Sequence, residues 1–277
     1  MTTTAAVPVF DNGTGSYIRI SGTQHTEAVS SMPDWLAQML HNLILTGQCT
    51  DITLELNDSL MTQVLDSGTV STSSDFVLAG TCTTSFQTSG ANRSNNIAVG
   101  ASRLNNLIVL PGQTVSVSDT ILPRTRANGY KEAGVYVNGA HTTGLGGGVC
   151  QISSTVYNAV KNAGLTVVQR NPHSMPVSYL PKGLDAAIAA GSKDLKFRND
   201  YTTPVVLYTD TSNKHLTVNV LVWNQELAGR SFKLWAKQTG ALSADTYFTT
   251  YQDGKEVSTQ FVGTSRYNPY REAVSND

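Results

Sequence analysis

The spacing of apolar residues over the first 70 positions predicts a small α+β unit. The runs VPVF and SYIRI flank Asn12-Gly13, a dipeptide typical of a tight turn, so we expect two paired strands. A proline near the start, leucines at helical spacing and a terminal glycine predict a helix over residues 33–47. The alternating segment DITLEL predicts a half-buried strand. Because residues 67–75 are rich in serine and threonine, we place a domain boundary at residue 75.

From residue 76 onward, two predicted helices are followed by many strands. Residues 92–106 form a helical pattern with Ile97, Ala101 and Leu104 on one face, and LIVLPGQTVSVSDTI predicts a strand, a turn and a strand. The glycine-rich TGLGGGVCQ leads into a second helix, ISSTVYNAVKNAGL. Further strand-like segments are LTVVQR, PVSYL, AAIA, DLKFRN, PVVLYTD and LTVNVLVW, and the alternation after residue 231 predicts one or two more.

This order of elements favours an α+β class over a parallel α/β sheet. We expect a small N-terminal α+β domain over residues 1–75 and a larger one over residues 76–224. The larger domain has one central helix and mostly antiparallel strands, and residues 225–277 form a C-terminal β extension.

Charge is scarce in this chain, which changes the choice of partners. Only 14% of residues are charged, against about 25% in an average soluble protein. Nineteen basic and twenty acidic residues give a net charge of −1 and form no cationic stripe, so neither nucleic acid nor an anionic membrane surface is an expected partner. A surface rich in hydroxyl and amide groups is more common outside cells. No run of about 18 apolar residues predicts a membrane span, so we expect any anchor or export signal to lie outside this chain.

The odd number of cysteines directs attention to one of them. Cys49, Cys82 and Cys150 form no metal-binding spacing, and whether Cys49 pairs with Cys82 stays open. Cys150 lies where the second helix begins. A helix N-terminus carries about half a positive charge and unpaired N–H groups, which favour a thiolate. The same amides can hold an oxyanion, donated by Cys150 itself or Gln151, and the further candidate positions are Gly146, Gly147 and Gly148.

A nucleophilic cysteine needs a histidine base and a group that orients it. His173, in NPHSMPVSY, and Asp185, in KGLDAAI, follow in that order, with Asp194 as the competitor for the third position. Cysteine at a helix start followed by histidine and aspartate on successive strands is the chain order of transglutaminase-like folds.

Other interpretations of these residues remain open. A lone cysteine is often a small buried apolar residue. His141 is a second candidate base or, together with Cys150 and His173, a zinc ligand, although the spacing matches no usual zinc site. The glycine run lacks the spacing of nucleotide-binding loops. We therefore expect neither a cofactor nor a metal.

Residues 78–221 resemble the VanW family, named for an accessory protein of some vancomycin-resistance clusters. The motifs, in order, are GTCTTSF, NRSNNI, LPGQTVSVSD, NGYKEAGV, GLGGGVCQISSTVYNA, RNPHSMPVSYLPKGLDA and DLKFRN. The first 75 residues resemble, more weakly, a small peptidoglycan-binding-like domain. Gln169, where relatives often have glutamate, and Cys82, where they often have an aromatic or small residue, depart from the pattern.

The resemblance implies a Gram-positive cell-surface protein, held by a membrane anchor that is absent from this chain and facing peptidoglycan or its precursors. It assigns no biochemical activity. From the residues themselves we hypothesise a cysteine peptidase or acyl transferase with transglutaminase- or papain-like chemistry on wall peptides. Arg93 and Arg170 would then hold substrate carboxylates. The alternative is a non-catalytic peptidoglycan-binding module in which Cys150 is buried for structural reasons.

Overall fold

The computed structural model describes residues 4–7, 17–21, 51–55, 76–137 and 140–269, with side chains for 77–135 and 142–269. The chain forms two compact units. One consists of Met1–Phe76 and Trp223–Gln225, and the other of Val77–Val222 and Glu226–Asp277.

Three strands are described in the first unit: β1 (Thr4–Val7), β2 (Tyr17–Ser21) and β3 (Asp51–Glu55). β1 pairs antiparallel with β2, and β2 pairs parallel with β3. The strand predicted from DITLEL is therefore confirmed. The predicted turn at Asn12-Gly13 and the helix over residues 33–47 lie outside the described residues, and the peptidoglycan-binding-like assignment stays a prediction.

The remaining elements begin at residue 76. The strands are β4 (Phe76–Ser85), β5 (Leu107–Val109), β6 (Thr114–Ser116), β7 (Glu132–Val137), β8 (Ala140–Leu145), β9 (Thr166–Gln169), β10 (Lys196–Arg198), β11 (Val205–Asp210), β12 (His215–Trp223), β13 (Arg230–Gly240), β14 (Ser243–Gln252) and β15 (Lys255–Arg266). The helices are α1 (Ala91–Ser102), α2 (Val117–Ile121), α3 (Val149–Asn162) and α4 (Asn224–Leu227). No described helix is long and apolar enough to cross a membrane.

These strands form four sheets, ordered β4-β12-β11-β5, β6-β10-β9, β13-β14-β15 and β7-β8. The pairings whose register is described are antiparallel, as in β11 with β12 and β14 with β15. The architecture is therefore mixed, with mostly antiparallel strands, which agrees with the predicted α+β class. The region after residue 230 holds three strands, where the alternation predicted one or two.

Helix α3 is the central helix of the larger unit. Every residue from 151 to 160 is buried, and the apolar side chains of Ile152, Val156 and Val160 have no exposed surface. The helix begins after Gly148, whose φ of 112° lies in the left-handed region that favours glycine. The predicted second helix is thus confirmed, and it is buried on its polar faces as well as its apolar one.

Two sets of strand predictions are wrong. Residues 117–121 form α2 because the Ser116 hydroxyl accepts the Asp119 N–H at 3.0 Å and caps the helix. PVSYL and AAIA lie in the irregular segment 170–195 that connects β9 to β10. The backbone of that segment bonds elsewhere, since the Ala186 N–H donates to the Ser154 hydroxyl at 2.9 Å and the Ala187 N–H to the Asn171 carbonyl at 2.7 Å.

The turn before α3 approaches β7 so closely that it leaves no room for a side chain. A Cβ on Gly147 would lie 2.5 Å from the Gly134 carbonyl oxygen, a backbone atom that cannot move aside. We expect Gly147→Ala to lower the free energy of unfolding by about 2 kcal/mol or more, as overpacked sites do, in urea denaturation. The control is Gly90→Ala, where a Cβ meets nothing within 4 Å and φ is −64°. Equal losses in the two variants would contradict this close approach.

Candidate active site

Cys150 is the second residue of α3, at the positive end of the helix. The Val149 N–H donates to the Gly146 carbonyl at 3.4 Å and the Gln151 N–H to the Gly148 carbonyl at 3.0 Å. Within the part of the chain that the structure describes, the Cys150 N–H has no hydrogen-bond partner. Of the amides predicted to hold an oxyanion, that of Gln151 is therefore occupied, and that of Cys150 itself is the free donor beside the sulfur.

His173 links Cys150 to Asp185. Its Nδ1 lies 2.7 Å from Asp185 Oδ2, and its own backbone N–H donates to the same oxygen at 2.7 Å. The ring also lies near enough to the Cys150 thiol for the two groups to shift each other's pKa. Because Nδ1 is held by the carboxylate, the contact with sulfur falls to Nε2. The three residues selected from the sequence are therefore neighbours in the fold, in the order Cys150, His173, Asp185.

Asp185 is a carboxylate with 1% of its side chain exposed, and it is compensated on both oxygens. Oδ2 accepts the two His173 donors, and Oδ1 accepts the hydroxyl of Tyr267, which follows β15. Arg170 adds charge from 3.5 Å and donates to the Asp185 backbone carbonyl at 2.7 Å. The competing candidate, Asp194, accepts from Ser116 Oγ at 2.6 Å and from the Ser118 N–H at 2.9 Å, as part of the cap of α2.

Polar side chains of α3 hold the segment that carries Asp185. Asn158 Nδ2 donates to the Leu184 carbonyl at 2.7 Å, and Ser154 Oγ accepts the Ala186 N–H at 2.9 Å. The Ser153 hydroxyl donates to the Ala186 carbonyl. His173 and Asp185 therefore do not lie on two successive strands, as the transglutaminase-like analogy expects. They lie on an irregular segment that the central helix fixes in place.

Two opposing effects set the pKa of the Cys150 thiol. Burial raises it, but the hydrogen bond and positive charge of His173 together with the charge of Arg124 outweigh burial, so the pKa lies below its ordinary value. Burial lowers the pKa of His173, yet its bonds to Asp185 and Cys150 raise it to about 9. Burial raises the pKa of Asp185, whereas His173 and Tyr267 bring it below its usual range. The site thus favours a thiolate beside an imidazolium.

The other residues predicted to bind substrate, Arg170, Arg93 and Gln151, make hydrogen bonds within the protein. Arg170 Nη2 donates to the Gly183 carbonyl at 3.0 Å and Nη1 to Ser265 Oγ at 3.2 Å, so the structure gives this guanidinium internal partners in place of the expected substrate carboxylate. Arg93 donates to Gln151 Oε1 at 2.8 Å. Gln151 in turn donates to Thr84 Oγ1 at 2.9 Å, which makes its side chain a buried cross-link rather than a free donor.

Two further predictions depend in part on residues that are not described. His141 lies in β8, where its backbone pairs with Tyr136, but its side chain is outside the described set. Cys82 is a free thiol whose pKa burial raises to about 12, and Cys49 lies outside the described residues. Within the described residues, no group of three His, Cys, Asp or Glu side chains is placed to hold a metal ion.

Sequence reasoning missed three residues near the site. Tyr267 reaches Asp185 from 82 positions away in the chain. The Tyr179 hydroxyl lies 3.4 Å from Ser154 Oγ, and its pKa is raised by burial and by the nearby Cys150. Arg124 lies close enough to Cys150 to lower the pKa of the thiol. No local pattern marks these residues, although Tyr179 lies within a quoted motif, RNPHSMPVSYLPKGLDA.

Comparison with known proteins identifies relatives of the part that contains the site. Residues 92–221 match a family model described as "VanW like protein". "Uncharacterized protein YoaR" of Bacillus subtilis (strain 168) is 42% identical over 128 residues, which are 46% of this chain and 42% of that protein. "Vancomycin B-type resistance protein VanW" of Enterococcus faecalis (strain ATCC 700802 / V583) is 36% identical over 114 residues, which are 39% of this chain and 42% of that protein. The chain thus spans less than half the length of these curated relatives, and no solved structure matches it.

The bond from Tyr267 to Asp185 has a consequence for the pH dependence of stability. Asp185 has a lowered pKa in the folded state, so the stability this carboxylate contributes is present above its unfolded pKa of about 3.9 and is lost as the pH falls through the folded pKa. We expect Tyr267→Phe to lower the free energy of unfolding by about 1–3 kcal/mol at pH 7 in urea denaturation. The loss shrinks toward pH 3, because the protonated acid depends less on that donor.

Tyr201→Phe is the matched control. It removes a hydroxyl that donates to the Ala163 backbone carbonyl at 2.8 Å, and this acceptor does not titrate. Its cost is expected to stay constant between pH 7 and pH 3. A Tyr267→Phe cost that is equally independent of pH would show that the bond to Asp185 is not what Tyr267 contributes.

Proposed function

Since residues 92–221 belong to the VanW family, as the motifs predict, we propose that this chain is a cell-envelope protein that acts on peptidoglycan through a cysteine nucleophile. Cys150 is the nucleophile, His173 the general acid and base, and Asp185 the residue that orients the imidazole. The reaction is cleavage of a peptide amide of the wall, as a peptidase or an acyl transferase.

The observation that carries this proposal is the position of His173 between a thiol and a buried carboxylate. Nδ1 is held at 2.7 Å from Asp185, and the ring lies near enough to the sulfur to lower the pKa of the Cys150 thiol. This arrangement of nucleophile, base and orienting group is the one that cysteine hydrolases and acyl transferases require. A purely structural cysteine needs none of these partners.

The geometry supports the following steps. The Cys150 thiolate attacks the amide carbonyl carbon, a C–S bond forms, and the carbonyl electron pair moves to oxygen, where the free Cys150 N–H can stabilise it. When the C=O bond re-forms, the C–N bond breaks, and the leaving amine takes the proton of the His173 imidazolium. The resulting thioester is attacked by water or by an acceptor amine, which His173 deprotonates, and the C–S bond then breaks to restore the Cys150 thiolate beside the protonated His173. Water gives hydrolysis, and an amine gives acyl transfer.

The wall as the place of action is supported by two further facts. One relative carries the name of a vancomycin resistance protein, and vancomycin resistance concerns the cell wall. Only 14% of residues are charged, which suits a surface that faces a polymer of sugars and peptides outside the cell.

A second candidate function has an observation of its own. The Cys150 sulfur lies 3.3 Å from the Ile188 carbonyl oxygen, a contact in which a neutral thiol would donate. In that case Cys150 is a packed structural residue, and the chain is a peptidoglycan-binding module without catalysis. Whether the sulfur is a thiol or a thiolate near neutral pH distinguishes the two functions.

Alkylation with iodoacetamide measures that state. We expect Cys150 to react rapidly at pH 6, where an ordinary thiol with a pKa of about 8.5 is almost wholly protonated. His173→Gln removes the imidazolium, so burial raises the thiol pKa and the rate at pH 6 falls at least about tenfold, a change of one pKa unit. Peptide mass spectrometry assigns each label, and Cys82, with a pKa of about 12, is the slow internal control.

The reaction itself is tested with purified peptidoglycan peptides. Intact-protein mass spectrometry should detect an acyl group on Cys150 of the wild type, and neither on Cys150→Ala nor, at comparable rate, on His173→Gln. Labelling of Cys150 by iodoacetamide only after denaturation, together with no acyl adduct, would favour the binding module over the enzyme.

A further inference from the structure

Two arginines lie against the glycine turn at the start of α3. A Cβ on Gly146 would lie 2.9 Å from Arg124 Cδ, so the stem of Arg124 packs directly on that glycine. A Cβ on Gly148 would lie 3.0 Å from Arg93 Cγ, so the stem of Arg93 packs on the other end of the turn. The two side chains therefore flank the segment that leads into Cys150.

Neither guanidinium is neutralised by a described carboxylate. Ion pairs between arginine and an acid in this part of the chain join Arg126 to Glu132, Arg170 to Asp185, and Arg198 to Asp200. Arg93 donates only to neutral acceptors, the Ser89 hydroxyl at 2.6 Å and Gln151 Oε1 at 2.8 Å. The Nη1 atom of Arg124 is buried and has no hydrogen-bond partner in the described structure.

An unsatisfied buried guanidinium nitrogen is costly, and such groups are otherwise almost always paired. A ligand that accepts a hydrogen bond from Arg124 Nη1 would remove this unfavourable free energy. Both arginines also lie within electrostatic range of the sulfur, since Arg124 lowers the pKa of Cys150 and the Cys150 thiolate raises that of Arg93 against burial, which lowers it. Since the stems of both arginines pack on the turn that leads into Cys150, a ligand bound there lies within electrostatic range of the reacting atom.

We propose that Arg124, supported by Arg93, forms an anion subsite beside Cys150 that binds a carboxylate of the substrate. The planar, permanently charged guanidinium matches a carboxylate, which presents two acceptor oxygens to it. The inference deepens the proposed function, on which it rests. The substrate class is narrowed to peptides with a free carboxylate near the scissile amide. It also replaces Arg170, whose donors are used within the protein, as the carboxylate-binding arginine.

The assignment gives the glycine run a further role. At Gly146 a side chain would collide with the Arg124 stem, and at Gly148 with both Arg93 and Ile97. The glycines thus let two long side chains lie beside the helix start, in addition to allowing the backbone its left-handed turn.

Two alkylating agents that differ by one charge test the subsite. Iodoacetate carries a carboxylate and iodoacetamide the corresponding amide, so the ratio of their rate constants at Cys150 reports anion binding independently of the thiol pKa. We expect Arg124→Gln to lower this ratio about tenfold, the usual size of one charge-assisted hydrogen bond. For Arg124→Lys, which keeps the positive charge but loses the two parallel guanidinium donors, we expect a ratio between that of the wild type and that of Arg124→Gln.

Arg126→Gln is the matched control. Arg126 lies two positions after Arg124 and carries the same charge, but its side chain is exposed and already pairs with Glu132. The substitution should leave the ratio within about twofold, since exposed charges are well screened. An Arg124→Gln ratio equal to that of Arg126→Gln overturns the subsite. Urea denaturation of each variant verifies that it is folded.

Equilibrium binding separates failure of the subsite from failure of the proposed function. Acetyl-alanine and acetyl-alanine amide are titrated by NMR into Cys150→Ala, which cannot react. We expect the carboxylate to bind, the amide not to bind, and Arg124→Gln to abolish the difference. If Cys150 is unreactive but acetyl-alanine binds, the subsite stands and the nucleophile fails. If Cys150 is reactive and the carboxylate gains nothing over the amide, the subsite alone fails.

Discussion

The structure around the candidate site depends on one buried charge. Asp185 exposes 1% of its side chain, and a carboxylate in that position destabilises the fold unless each of its oxygens is compensated. His173 supplies two donors to one oxygen, and Tyr267 supplies a hydroxyl to the other. Two distant parts of the chain must therefore meet at this point: the irregular segment 170–195, which carries both His173 and Asp185, and the end of β15. The charge that orients the imidazole is the same charge that ties the C-terminal sheet to the site.

Helix α3 supplies the rigidity that this arrangement needs. Its polar side chains are as buried as its apolar ones, and they bond to neighbouring segments rather than to water. Ser154 and Asn158 hold the backbone near Asp185, while Gln151 and Thr155 bond to Thr84 of β4 at 2.9 Å each. Because the helix also carries Cys150, the proposed nucleophile and the segment that carries His173 and Asp185 are held by the same helix. A catalytic group held on a packed helix keeps its geometry better than one held on loops alone.

The scarcity of charge has a counterpart in the site. Few charged residues cover the chain, yet Arg93, Arg124 and His173 lie within electrostatic range of one sulfur, and Asp185 with Arg170 lies behind His173. Cations outnumber anions in this group, which is compatible with a thiolate and leaves positive charge for an anionic ligand. The net charge of −1 therefore describes the surface average and hides a local excess of positive charge where chemistry is proposed.

Local sequence pattern predicts the elements in which apolar residues recur at the regular spacing of a helix or a strand. Local spacing predicts helix α3, Cys150 at its glycine-led start and the strands β9 to β12. The alternation after residue 231 indicates further strands but not that there are three. His173 and Asp185 were identified by residue type and chain order, but only the fold could choose Asp185 over Asp194, because each aspartate is surrounded by donors from distant segments. The predicted strand AAIA failed for the same reason, since Ala186 bonds to side chains of α3 and the Ala187 N–H to the Asn171 carbonyl instead of to a neighbouring strand, and PVSYL lies in the same irregular segment. Tyr267 and Arg124 carry no local signal, because their roles consist of contacts made across 82 residues and across the glycine turn. The sequence by itself determined which residue types and periodic elements are present, and tertiary structure decided their partners, because a buried hydrogen bond or charge is satisfied by whichever segment packing brings to it.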